Sequence, residues 1–301
     1  MRTGIVMASL LCIGVGMIGC DLSGQSAGIT GGLSVVAPGA QVKKMADGFQ
    51  FTEGPAADRA GNVFFSDIPN NKILQWTLGE GLSEFSVKSG GANGLFFAAD
   101  GSLFVCAGSA RMLYKIAPDG TVRVLADQYD GKKFNSPNDL WIDPKGGVYF
   151  TDPRYGGREG MEQDGEHVYY LTPSGRQVWR VIGDMVRPNG VIGTPDGKIL
   201  YVADHGDNKV WAYTIQSDGT LVDKRLFAPE GSDGMTLDSE GNVYLTNKIV
   251  AVYNPAGQRI ETIVIPEEPA NVAFGGSTRQ ILFITARTSL YAIPMRVRGA
   301  Y

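Results

Sequence analysis

A chain of 301 residues, 43% hydrophobic and 10% aromatic, is long enough to bury a sizeable core. Its 41 glycines suit a turn-rich β protein better than a helical one. A formal net charge of −4 excludes a general nucleic-acid binder, because no cluster of Lys and Arg is there to neutralise a row of phosphates.

The N-terminus reads as an export address. One positive charge at Arg2 precedes a nearly all-apolar run over residues 4–18. That run is short for a membrane span, which needs about 20 apolar residues, and right for a secretory signal. Met17-Ile18-Gly19-Cys20 resembles the bacterial lipobox, with Met17 where Leu is usual; the alternative is a plain signal peptide with an incidental cysteine. Residues 21–32 are rich in Ser and Gly, as a flexible tether should be. The expectation is a signal over 1–19, a tether over 20–33 and a folded domain over 34–301. Such a protein is exported and membrane-anchored through lipid on Cys20, on the periplasmic or cell-surface side. Cys12 is lost with the signal, which leaves Cys106 alone and no internal disulfide.

From residue 53 one pattern recurs: a polar residue, a short apolar run, an Asp/Gly turn and a β-rich run. It is seen at 53–67, 93–108, 138–152, 189–204 and 233–247, with a degenerate copy at 271–287. The turn aspartates Asp58, Asp100, Asp143, Asp196 and Asp238 are 42, 43, 53 and 42 residues apart. A period of 40–50 with several strands per unit is the signature of a propeller blade. Third strands are predicted at 72–76, 113–116, 168–171, 209–215, 251–253 and 290–293. Fourth strands follow most of these, for example at 121–126 and 177–182. The fold class is therefore all-β, a six-bladed β-propeller of four-stranded antiparallel blades, with 35–43 offered as the strand that closes the ring. The third unit is longest, and its excess, residues 154–166, is polar and Gly-rich, hence a loop.

The residue opening each innermost strand should point at the mouth of the central channel. These are Glu53, Asn93, Asn138, Asn189, Asp233 and Asn271, all oxygen-bearing. Two carboxylates converging on one axis repel unless something positive lies between them, and a divalent cation would serve. Oxygen donors without His or Cys favour Ca²⁺, Mg²⁺ or Mn²⁺ over Zn²⁺, although Zn²⁺ also accepts carboxylate oxygen. The two histidines, His167 and His205, lie too far apart in the repeat register for a zinc motif. The second-strand ends fall on the same face and supply Asp67, Asp152, Arg154, Tyr155, Asp204, His205, Asn247 and Arg287. Of these, His205 is a candidate substrate contact or proton shuttle. Arg287 suits an acidic or polyhydroxylated substrate, unless an ion pair with Asp152 or Asp204 uses it up.

Thr52-Glu53-Gly54-Pro55, Pro137-Asn138-Asp139, Phe150-Thr151-Asp152-Pro153, Pro188-Asn189-Gly190, Ser232-Asp233-Gly234-Met235, Pro269-Ala270-Asn271 and Thr285-Ala286-Arg287 together resemble the senescence marker protein/gluconolactonase/luciferin-regenerating enzyme-like family over residues 45–295. The resemblance implies one divalent metal in the channel, Ca²⁺ first, held by Glu53, Asn138, Asn189 and Asp233. It implies metal-assisted hydrolysis of a sugar lactone, with the carbonyl polarised by the metal and Asp233 acting as base or nucleophile. Asn138, Arg154, His205 and Arg287 are the candidate substrate-binding residues. The animal lactonases carry a substrate-contacting Arg two residues before the third-blade Asn; here that position is Ser136. The rival functions are a non-catalytic ligand-binding propeller with a structural metal, and hydrolysis of another ester or a phosphotriester. The expected partner is a small lactone or sugar acid, with a monomeric domain and no membrane contact beyond the lipid.

Overall fold

The computed structural model describes Met1, residues 34–86 and residues 88–301. The expected signal peptide, lipobox, Cys20 and tether lie outside the described residues. Every regular element described is a β-strand, and the strands form six four-stranded antiparallel sheets.

Blade 1 runs through Thr52–Ala57, Val63–Asp67, Lys72–Thr77 and Gly81–Ser86. Blade 2 runs through Ala92–Phe97, Leu103–Ala107, Met112–Ile116 and Val122–Ala126. Blade 3 uses Leu140–Ile142, Val148–Asp152, His167–Leu171 and Val178–Ile182. Blade 4 uses Pro188–Gly193, Ile199–Asp204, Lys209–Ile215 and Leu221–Ala228. Blade 5 uses Met235–Leu237, Val243–Thr246, Val250–Tyr253 and Arg259–Ile263. Blade 6 takes Pro269–Gly275, Ile281–Ala286 and Ser289–Pro294 from the C-terminal part, and Lys43–Asp47 as its outer strand. The sequence missed a two-stranded hairpin between blades 2 and 3, Gln128–Tyr129 with Lys132–Lys133.

The closing strand differs from the one expected at 35–43. Lys43 pairs with Ala292 and Asp47 with Ser289, while Val36 makes only an isolated bridge to Met295. A turn at Pro38-Gly39 breaks the segment, and proline has no N–H to give to a ladder.

The recurring aspartates are explained by turn chemistry. Asp143 Oδ1 accepts from the N–H groups of Lys145 and Gly147, both at 2.8 Å. Asp238 Oδ1 does the same for Glu240 and Asn242 at 2.9 Å. Each carboxylate thus caps its own hairpin, and Gly146 supplies the left-handed turn residue at φ 87°.

The core lies between blades. Trp141 and Tyr149 of blade 3, both fully buried, pack with Tyr201, Val202 and Val191 of blade 4. Cys106 is buried in blade 2 with Leu113 and Phe150 around it, and burial pushes its thiol well up. It is a packing residue rather than a reactive one.

Candidate functional site

The innermost strands converge at the ends where the polar residues stand, and glycine makes the convergence possible. A Cβ on Gly54 would lie 1.9 Å from the carbonyl oxygen of Asn93 in the next blade. A Cβ on Gly234 would lie 1.9 Å from Cγ of Asn271. With no side chain there, the Gly94 N–H reaches the Asn138 carbonyl at 2.7 Å and the Gly234 N–H reaches the Ala270 carbonyl at 2.8 Å. Buried hydroxyls add to this, with Ser66 donating to the Asn93 carbonyl at 2.9 Å and Thr246 to the Ala270 carbonyl at 2.6 Å. Adjacent blades are therefore locked together at this end, and the residue preceding each glycine is held at the channel mouth.

Glu53, Asn138 and Asn189 are 3%, 7% and 2% exposed. The Glu53 carboxylate accepts from the Gly54 N–H at 2.8 Å and from Asn271 Nδ2 at 3.1 Å, both through Oε2. Asn189 Nδ2 donates to Asp233 Oδ1 at 2.6 Å and to the Tyr155 hydroxyl at 2.6 Å. With its N–H groups spent, the Asn189 amide is left with its oxygen free to face a cation. Among the described residues, no protein group hydrogen-bonds the Asn138 side-chain amide. Asn271 spends both ends on protein, since its Oδ1 accepts from the Val272 N–H at 2.8 Å. It supports Glu53 rather than offering a donor of its own.

The electrostatics fit this donor set. Burial, then the charge of Asp233, pushes the Glu53 carboxyl well up. Burial likewise raises Asp233, against the opposing pull of His205, the Asn189 amide and Arg287. A pair of desolvated, mutually repelling carboxylates beside amide oxygens is what a hard divalent cation would offset. Among the described residues, no three His, Cys, Asp or Glu side chains form a metal-holding group. The set depends on asparagine amides, and four donors, Glu53, Asn138, Asn189 and Asp233, fit an oxygen-preferring ion.

A third buried carboxyl stands just beneath, and the sequence reading passed over it. Asp139 is 7% exposed and accepts from the N–H groups of Leu140 at 2.9 Å and Val191 at 3.3 Å. Burial raises it to about 7, with Asp233 adding to the rise. The signal was present in the repeats. The residue after the ring position is glycine at 54, 94, 190 and 234 and valine at 272, but the ionisable aspartate at 139.

Two cavities meet this region. One of ≈630 Å³ occupies the channel below the ring and is lined mostly by apolar groups such as Leu95, Trp141 and Met235. The other, ≈200 Å³, opens on the ring face between Phe51, His205, Asp233, Asn247, Glu268 and Arg287. The smaller one brings Asp233 together with His205, Glu268 and Arg287.

His205 and Arg287 thus share a cavity with Asp233. Both are exposed, and Arg287 is ion-paired to Glu268 with its guanidinium 5.7 Å over the Phe51 ring. The partner is Glu268, not Asp152 or Asp204. Those two are buried and accept backbone N–H groups from the loop entering their own blade. Asp152 serves Asn135 and Ser136 at 2.8 and 2.7 Å, and Asp204 serves Val186 and Arg187, both at 2.9 Å. Asp67 does the same for Gln50 and Phe51 at 3.2 and 3.1 Å. The Arg154 guanidinium is also committed, donating to the carbonyls of Gly157, Glu159 and Asn135 at 3.0, 2.9 and 3.2 Å.

Residues 51–288 match the SMP-30/Gluconolactonase/LRE-like region. The gluconolactonase of Zymomonas mobilis is 31% identical over 293 residues, covering 86% of this chain and 82% of that one. The lactonase drp35 of Staphylococcus haemolyticus is 28% identical, covering 71% and 69%. Among solved structures, a gluconolactonase from Xanthomonas campestris superposes with a TM-score of 0.81 at 29% identity, covering 87% of this chain and 91% of that one. A luciferin-regenerating enzyme, at 19% identity and a TM-score of 0.75, shares the fold over 87% of this chain and 97% of its own.

Proposed function

The chain belongs to the SMP-30/Gluconolactonase/LRE-like family, and from that premise we propose that it is a lactone hydrolase working at the ring face of the propeller, on a sugar lactone. The observation that carries the reading is the convergence of Glu53, Asn138, Asn189 and Asp233 at one channel mouth, with both carboxyls pushed up by burial, in a chain similar to gluconolactonases along most of its length.

Glu53, Asn138, Asn189 and Asp233 would hold one divalent cation, with Ca²⁺ preferred and Mg²⁺, Mn²⁺ or Zn²⁺ as rivals. When bound, that ion supplies Lewis-acid polarisation of the lactone carbonyl. The chain's own groups do the rest. Asp233 faces the smaller cavity, the substrate approach, and it takes a proton from the attacking water as the water oxygen bonds to the carbonyl carbon. It then passes that proton to the ring oxygen as the acyl C–O bond breaks, so that the ring oxygen leaves as a hydroxyl. Asn189 orients Asp233 through its 2.6 Å hydrogen bond. His205 and Arg287 line the cavity where the hydroxyls of a sugar-derived ring would lie. To test this, glucono-1,5-lactone hydrolysis is followed by acid release before and after exhaustive EDTA dialysis. Activity should vanish and return with added calcium; turnover that survives metal removal would sink the metal-dependent reading.

We propose further that residues 1–19 are a lipoprotein signal, 20–33 a tether and 34–301 the catalytic domain, carried on the outer side of a membrane by lipid on Cys20. Support comes from the apolar run and from Met17-Ile18-Gly19-Cys20. Cys20→Ser should move the protein from the membrane fraction to the soluble exported one. An unchanged distribution would count against the lipid.

A further inference from the structure

Residues 154–166, the excess of the third repeat, are tied down at both ends by one buried side chain. Glu166, whose side chain is 2% exposed, accepts from the Arg154 N–H at 3.0 Å and from Arg187 Nε at 3.4 Å through Oε2. Its other oxygen takes the Arg158 guanidinium at 2.6 Å. Arg154 folds back on the loop's own carbonyls. The loop is thus a fixed structure, and it delivers Tyr155 to the metal-ligand ring. The Tyr155 hydroxyl accepts from Asn189 Nδ2 at 2.6 Å, on the same nitrogen that serves Asp233. The Arg187 guanidinium lies 5.1 Å over its ring and holds it from behind. Arg187 precedes Asn189 by two residues, so it occupies in blade 4 the register that Ser136 occupies before Asn138 in blade 3.

Having accepted one hydrogen bond, the Tyr155 hydroxyl still has a proton to give. Among the described residues, no protein acceptor takes it, and the residue is 45% exposed. An oxygen of a molecule seated at the channel mouth beside Asn189 and Asp233, which are hydrogen-bonded to each other, is the acceptor within reach.

We infer that Tyr155 is a substrate-contacting residue, its hydroxyl braced by Asn189 and donating a hydrogen bond to an oxygen of the bound lactone, with Arg187 and Glu166 as its positioning residues. This rests on the hydrolase reading above and adds a residue and a loop to it. No proton is transferred; the group acts as a fixed donor, as in an oxyanion hole.

The test is Tyr155→Phe in the calcium-loaded full chain, because phenylalanine keeps the ring under Arg187 and removes only the hydroxyl. The expected result is a fall in kcat/KM of about 10- to 100-fold, carried mainly by kcat, with calcium affinity and Tm close to wild type. Glu166→Gln should lower kcat/KM less, and its effect should largely disappear when combined with Tyr155→Phe, since both act through one hydroxyl. Turnover within about twofold of wild type overturns the inference. So does a loss matched by an equal loss of calcium affinity, which would make Tyr155 a brace for Asn189 only. A wild-type chain without lactone turnover overturns the hydrolase reading instead. The inference is then decided by calorimetric titration with gluconate, where equal affinity for wild type and Tyr155→Phe overturns it and weaker binding by the variant supports it.

Discussion

Asp139 carries the most direct test of the electrostatics beneath the ring. In the folded chain its carboxyl is raised by burial from 3.8 to about 7. The folded state therefore keeps a proton that the unfolded chain releases near 3.8. Unfolding sheds that proton anywhere between the two values, so this contribution to stability is fully present below about pH 4 and is lost as pH rises through about 7. The rise corresponds to about 4 kcal/mol. Asp139→Asn keeps an oxygen for the Leu140 N–H, held at 2.9 Å, and gives up the longer bond from Val191 at 3.3 Å, a loss of about 1 kcal/mol. It has no charge to bury. In EDTA the variant should be less stable than wild type by about 1 kcal/mol at pH 4 and more stable by about 3 kcal/mol at pH 8. Urea unfolding at the two pH values measures both differences. Saturating calcium should flatten the wild-type pH dependence, because a cation at the ring favours the ionised carboxyls. If the difference between variant and wild type is the same at pH 4 and pH 8 in EDTA, Asp139 does not titrate as described and the reasoning fails.

Two further substitutions address the ring. Asp233→Asn should lower kcat by at least about 100-fold while leaving the denaturant midpoint near wild type or above it, since a desolvated charge is removed; near-normal turnover would exclude Asp233 as the base. Gly234→Ala places a methyl 1.9 Å from Cγ of Asn271 and should drive that amide off Glu53, weakening calcium binding by about tenfold or more at a stability cost of about 1–3 kcal/mol. Isothermal titration and urea unfolding read the two effects separately, and unaltered calcium affinity would show that Asn271 does not support Glu53.

The blades were legible because each hairpin carries its own turn chemistry, Asp then Gly at fixed offsets, and because the period is regular. The ring positions followed from the same register. What stayed hidden depends on contacts between segments far apart in sequence. Arg287 reads as a free guanidinium or as a partner of Asp152 or Asp204, because nothing local reveals that these aspartates are already filled by backbone N–H groups. Glu268, its actual partner, sits in the linker before the last blade. Arg154 looks like a rim cation until its three carbonyl acceptors are seen. The loop at 154–166 reads as polar and irregular, and its order comes from Glu166 meeting Arg187 across a blade boundary. The closing strand shifted from 35–43 to Lys43–Asp47 because Pro38-Gly39 turns the chain.

That closing strand has a kinetic consequence. Its partner, Ser289–Pro294, is almost a whole chain away, and the pairing of Lys43 with Ala292 ties the ring shut. Contacts of such sequence separation form late, because a long loop must be closed before they return any energy. Five blades can assemble as the chain emerges, but the sixth must wait for the final strand. Until then Glu53 and Asn271 sit on opposite sides of an open seam. If the proposed cation binds at this ring, its ligand set would be completed in the same event as ring closure, and gain of calcium affinity during refolding would then clock the last step of folding.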